Sequence, residues 1–109
     1  MDLYVEMQKR IEDLDRGIKS LRKTSAEYAE AYKLYRIALA KELMRLKEQG
    51  VAATLTSDIA RGNEEIAQLK FNEISTEAIY KANLESINAI KLQIRVLENQ
   101  ISREYGRGE

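Results

Sequence analysis

Lys47-Glu48-Gln49-Gly50-Val51-Ala52-Ala53-Thr54-Leu55-Thr56-Ser57-Asp58-Ile59-Ala60-Arg61-Gly62-Asn63 contains the one departure from helical periodicity in this chain of 109 residues. Gln49-Gly50 supplies a left-handed stop, with Lys47 in the last turn where the helix dipole favours a cation. Thr56, Ser57 or Asp58 can cap a short helical turn. Asn63, followed by Glu64 and Glu65, offers a second start with acids in its first turn. A stop and a restart between two long periodic segments predict an antiparallel helical hairpin. The expected elements are a helix over about 3–48, a tip loop with a short helical turn over about 50–62 and a helix over about 63–105, in a single domain 1–109.

Upstream of the tip, Met7, Ile11, Leu14, Ile18, Leu21, Ser25, Tyr28, Tyr32, Tyr35, Leu39, Leu43 and Leu46 recur at steps of three and four, which places them on one helix face. Gly17 lies inside this run as a weak point or bend. Downstream the apolar stripe drifts. Ala67, Phe71, Ile74 and Ala78 follow one face, and Tyr80, Leu84, Ile87, Ile94, Leu97 and Ile101 follow another. One hairpin partner covers one side only, so the expected fold class is all-α: a long antiparallel, coiled-coil-like hairpin oligomerising into a helical bundle, most simply a dimeric four-helix bundle. With the turn centred near Thr54, Tyr28 faces Tyr80, Tyr35 lies near Glu73 and Lys41 near Ala67. The tail Gly106-Arg107-Gly108-Glu109 is expected to fray.

Composition narrows the function classes. The chain has no Cys and no His, so it offers no thiolate nucleophile, no disulfide framework, no imidazole base and no usual transition-metal ligand. No catalytic residue, metal site or cofactor is expected. Lys+Arg and Asp+Glu balance at 18 each, which argues against a basic nucleic-acid wrapper and against an acidic mimic. The cations of the open end, among them Arg10, Arg16, Lys19, Arg22 and Lys91, are interleaved with acids and read as a solvated coiled-coil surface rather than a nucleic-acid site. The N-terminal residues carry no apolar leader, and no segment has the length and apolarity of a membrane span, so a cytoplasmic protein without membrane partners is expected.

Two clusters are candidate ligand sites. In the tip, Thr54, Thr56, Ser57 and helix-start amides could cradle an anion, with Arg61 as a charged donor and Asp58 accepting from a hydroxyl or amine. The plain alternative is that Thr56, Ser57 and Asp58 cap a helix while Asp58 pairs with Arg61. Lys41 would add charge if the tip folds back. The second cluster is Tyr28, Tyr32 and Tyr35 with Tyr80 opposite and Arg36 alongside. It could stack on a base, or it could simply fill a wide layer of the bundle. The glycine-rich phosphate-loop pattern with its lysine is absent.

Tyr35-Arg36-Ile37-Ala38-Leu39-Ala40-Lys41, the tip segment Glu48 to Gly62, and Tyr80-Lys81-Ala82 carry a resemblance to small helical proteins encoded by phages and prophages of Gram-positive bacteria. It covers about two-thirds of the chain, from Tyr28 to Tyr105, and leaves residues 1–25 outside. The resemblance implies an infected bacterial cytoplasm as the setting. Proteins of that kind include oligomers that sequester nucleotide immune signals and others that assist replication or recombination. In that setting, the polar tip beside an under-covered apolar helix, in a chain without Cys or His, makes the expected function a non-enzymatic, oligomeric accessory or anti-defence protein that sequesters a small anionic nucleotide-derived signal. The alternative is a coiled-coil adaptor acting on a replication, recombination or host defence protein.

Overall fold

The computed structural model describes residues 2–106 and contains three helices and, among the described residues, no strand: α1 (Leu3–Glu48), α2 (Ala53–Gly62) and α3 (Glu64–Gly106). The expectation for Arg107 to Glu109 lies outside the described residues. Without a proline, and with Ala, Leu, Lys and Glu recurring throughout, nothing removes a backbone donor over the 46 residues of α1. Asp2 caps that helix: its Oδ1 accepts from the Tyr4 amide at 2.9 Å, and its carbonyl accepts from the Glu6 amide at 3.2 Å. No helix among the described residues is long and apolar enough to cross a membrane.

The chain divides into two compact units, Thr24–Ile79 and Met1–Lys23 with Tyr80–Glu109. In the first, α1 ends in a Schellman turn. Gly50 takes a φ of 80°, its amide donates to the Lys47 carbonyl at 3.1 Å, and the Val51 amide donates to the Leu46 carbonyl at 3.1 Å. Val51 packs against the core that contains Leu46, which is the apolar contact such a turn favours. The chain then enters α2 two residues later. This stretch is a ten-residue helix, where the sequence suggested a loop with a short turn.

The start of α2 corrects a second expectation. Ala52 occupies the cap position and makes no side-chain cap bond, so Thr56, Ser57 and Asp58 lie inside the helix and do not cap it. Ala52 and Ala53 favour helix intrinsically, which lets the element begin before the first hydroxyl side chain. The Thr56 hydroxyl instead donates back to the Ala53 carbonyl at 3.0 Å. Asn63 caps α3, its Oδ1 accepting from the amides of Glu65 at 2.9 Å and Ile66 at 3.3 Å.

Tyr35, Leu39 and Leu46 from α1, Ala60 from α2 and Ile66 from α3 form the core of this unit, with Ala38, Leu43, Val51 and Leu69 against it. Burying an aliphatic side chain of this size is worth about 1.5–3 kcal/mol. No large side chain among the described residues is fully withdrawn from water. Tyr32, which the sequence pattern put on the packed face, is half exposed. One facing helix covers a narrower strip than the three-four repeat includes.

In the second unit α1 and α3 run antiparallel. Tyr4 meets Tyr105 edge to face at a centroid distance of 5.7 Å, and the Asn83 amide donates to the Gly17 carbonyl at 3.2 Å. Ile87, the buried aliphatic here, lies against Gly17. A β-carbon at Gly17 would stand 3.1 Å from Ile87 Cγ1. Gly17 is thus a point of close approach inside an unbroken helix rather than a bend. Ile11 and Ile18, assigned by the pattern to the packed face, are exposed.

The register also differs from expectation. Lys70 rather than Glu73 lies over the Tyr35 ring, with Glu73 next to it as the lysine's ion partner, and Tyr28 bonds Glu77. The centre of the pairing lies near Ala52 rather than Thr54, because α1 stops at Glu48 and the chain reverses directly after Gly50. Moving that centre slightly displaces each partner by twice as much, close to one helical turn.

Candidate functional site

The junction of the three helices in unit Thr24–Ile79 leaves a cleft of about 360 Å³ lined by Tyr35, Arg61, Ile66, Ala67 and Lys70. Each element supplies a different group. α1 presents the Tyr35 ring, α2 ends with Arg61 in its last turn, and the first two turns of α3 contribute Ile66, Ala67 and Lys70. Lys70 is the organising residue. Its Nζ sits 4.8 Å from the centroid of the Tyr35 ring and 3.0 Å from Glu73 Oε2. Glu73 is buried, and a carboxylate in that position is tolerable only with such a partner. The lysine is held by ring and carboxylate at once, while its side chain remains 46% exposed toward solvent.

Chemically, the walls are amphipathic: one aromatic ring, two aliphatic side chains, one guanidinium and one ammonium. Arg61 offers a planar fork of donors suited to a carboxylate or phosphate. Lys70 contributes a point charge already partly offset by Glu73. Among the described residues, no group of three or more Asp or Glu is placed to hold a metal ion.

Of the residues singled out from sequence, the cleft brings together Tyr35 and Arg61. Thr54 and Asp58 are exposed on α2, and Thr56 and Ser57 are half-buried along it. None of these four lines the cleft. Thr56 lies one turn into α2, where its amide donates to the Ala52 carbonyl at 3.2 Å and its hydroxyl to the Ala53 carbonyl. Lys41 and Arg36 are exposed on α1, outside the cleft.

Tyr28 and Tyr32 pack edge to face with centroids 6.5 Å apart, and Tyr35 faces the core. The Tyr28 hydroxyl bonds the Glu77 carboxylate, which raises its pKa above the ordinary tyrosine value, with partial burial adding to the rise. Tyr80 belongs to the other unit.

No family model, no curated protein and no solved structure matches the chain. The cleft therefore rests on its own chemistry. Lys70 was missed in the sequence because the register was off by close to a turn, whereas Glu73, its ion partner, was placed near Tyr35. The usable signal was a Lys and a Glu three apart on one helix, facing a tyrosine across the hairpin.

Proposed function

We propose that the protein works by binding rather than catalysis, and that its site is the cleft between Tyr35, Arg61 and Lys70. The observation that carries this reading is the convergence of an aromatic ring and two cations from three helices on one cleft of about 360 Å³. That size suits a small molecule. Arg61 takes the anionic group, Lys70 adds charge at the rim, and Tyr35 with Ile66 and Ala67 receives the flat or apolar part. Together with the resemblance to phage-encoded helical proteins, this gives a concrete form: an oligomeric accessory protein in an infected bacterial cell that sequesters a nucleotide-derived immune signal.

A thermal-shift screen of the purified chain against cyclic dinucleotides, ADP-ribose derivatives and mononucleotides tests it. A ligand that raises the melting temperature in wild type and loses its effect in Arg61→Ala supports the reading. No shift across the whole set sinks it.

A second reading, a protein-interaction adaptor, is favoured by α2 itself. Leu55 and Ile59 lie one turn apart on that helix, and both are about half exposed. A pull-down that depends on Leu55 and Ile59 but not on Arg61 or Lys70 would select the adaptor.

A further inference from the structure

The outward side of α1 within unit Thr24–Ile79 carries an unusual combination. Leu34, Ile37 and Met44 are 45%, 46% and 63% exposed, and Glu27, Glu30 and Lys41 are exposed with them. At 3.6 residues per turn these six fall within a sector of about 100° of the helix surface. About the peptide between Tyr35 and Arg36, their order pairs apolar with apolar at Leu34 and Ile37 and acid with base at Glu30 and Lys41. Leu34 and Ile37 stand equally far from that midpoint, as do Glu30 and Lys41. Met44 mirrors Glu27, and Arg45 lies beside it.

We propose that this face is the interface of a twofold dimer, in which α1 of one copy packs antiparallel on α1 of a second copy. An isologous contact requires one patch to complement itself, residue i meeting j and j meeting i. Here Leu34 meets Ile37 of the second copy at the axis. Glu30 meets Lys41 of the second copy on either side, and Arg45 of one copy reaches Glu27 of the other. Each of these pairings thus occurs twice, once on either side of the axis. The Glu30 carboxylate also holds Lys33 on its own helix at 2.9 Å and would bridge the two lysines. Met44 of the second copy arrives over a cleft of about 510 Å³ that Ala26, Ala31, Leu34 and Leu69 line. Its unbranched thioether suits such an irregular gap. A second copy accounts for the mirrored Glu30 and Lys41 about a shared apolar centre, whereas a foreign partner gives no reason for it.

The face is separate from the Tyr35–Arg61–Lys70 cleft, so dimerisation and ligand binding fail independently. Sedimentation velocity over a concentration series reads the association. Wild type is expected to be a dimer. Lys41→Glu and Glu30→Lys each weaken association by about tenfold or more through like-charge contacts, and E30K/K41E restores it. Both substituted side chains stay on the solvent side, so helicity by circular dichroism is unchanged. As a second measurement, oxidising an equal mixture of the Leu34→Cys and Ile37→Cys chains gives the mixed disulfide well above the share that random pairing would give. A chain that is monomeric at every concentration, a dimer indifferent to both charge reversals, or a mixed disulfide at or below its random share would each overturn the proposal.

Discussion

Gly17 and Ile87 meet across two helices at a separation that leaves no room for a longer side chain, with Ile87 Cγ1 3.1 Å from the point where a β-carbon would sit. Alanine there gains helix propensity of about 1 kcal/mol and asks Ile87 to give way by a few tenths of an ångström. Gly17→Ala is therefore expected near neutral in urea denaturation, and Gly17→Leu destabilising by about 1–3 kcal/mol through overpacking. Equal stabilities for the two variants would contradict the close approach.

Gly50 has open space around its α-carbon, so the requirement for glycine there is purely one of backbone. Its φ of 80° is strained for any side chain with a β-carbon. Gly50→Ala should cost about 1 kcal/mol and Gly50→Asn less, because Asn tolerates the left-handed region. Thermal melts of the two variants should rank alanine below asparagine.

Lys70 and Glu73 should be coupled. Replacing Lys70 by Met leaves a buried carboxylate without its ion partner and is expected to cost on the order of 1–3 kcal/mol. Adding Glu73→Gln should recover part of that loss. A double-mutant cycle in denaturant measures the coupling, and additive losses would mean that the pair is not formed.

Tyr28 and Tyr105 should ionise late. The Glu77 carboxylate raises Tyr28, and the hydroxyl of Tyr4 raises Tyr105. A raised folded-state pKa means that the folded chain holds its proton more tightly. The associated stability is present below the ordinary tyrosine value of about 10 and is lost as pH climbs through the raised one. Ultraviolet titration should show a late tyrosine component that shrinks in Tyr28→Phe. A single unshifted transition would refute both contacts.

Glu42, by contrast, is held below the usual carboxylate range by its hydrogen bond from Arg45, whose Nε lies 3.0 Å away. Its contribution is present above the unfolded carboxylate value and is lost as pH falls through the lowered one. The effect is expected to be small, because the pair faces solvent. Melts of Glu42→Gln and wild type should differ slightly at neutral pH and converge in acid.

The all-helical character and the stop at Gly50 were legible because local chemistry sets them: no proline, a three-four apolar repeat and one glycine that must turn left-handed. Side-chain pairing across the hairpin was not. A repeat marks a face but fixes no register, and a small displacement of the turn put Lys70, with Glu73 as its ion partner, against the Tyr35 ring. Neither did the repeat say that Ile11, Ile18 and Tyr32 would stay in water, since a single opposing helix covers less than the pattern allows. At the tip, Arg61 and Tyr35 were visible as chemistry-bearing residues. Thr56 and Ser57 were misassigned because two alanines let α2 start ahead of them.

The tight turn at Gly50 has a consequence in time as well as in space. Leu46, Ala60 and Ile66 are neighbours along the chain, so closing their core confines only a short loop, whereas Tyr4 and Tyr105 must find each other across nearly the whole sequence. Because the entropy of closing a loop rises with its length, we expect folding to nucleate at the tip and to zip toward the free ends. Amide exchange should then be slowest around Leu46 and Ile66 and fastest beside Tyr4 and Tyr105. The same order would leave the tip cleft formed while the ends are still opening and closing.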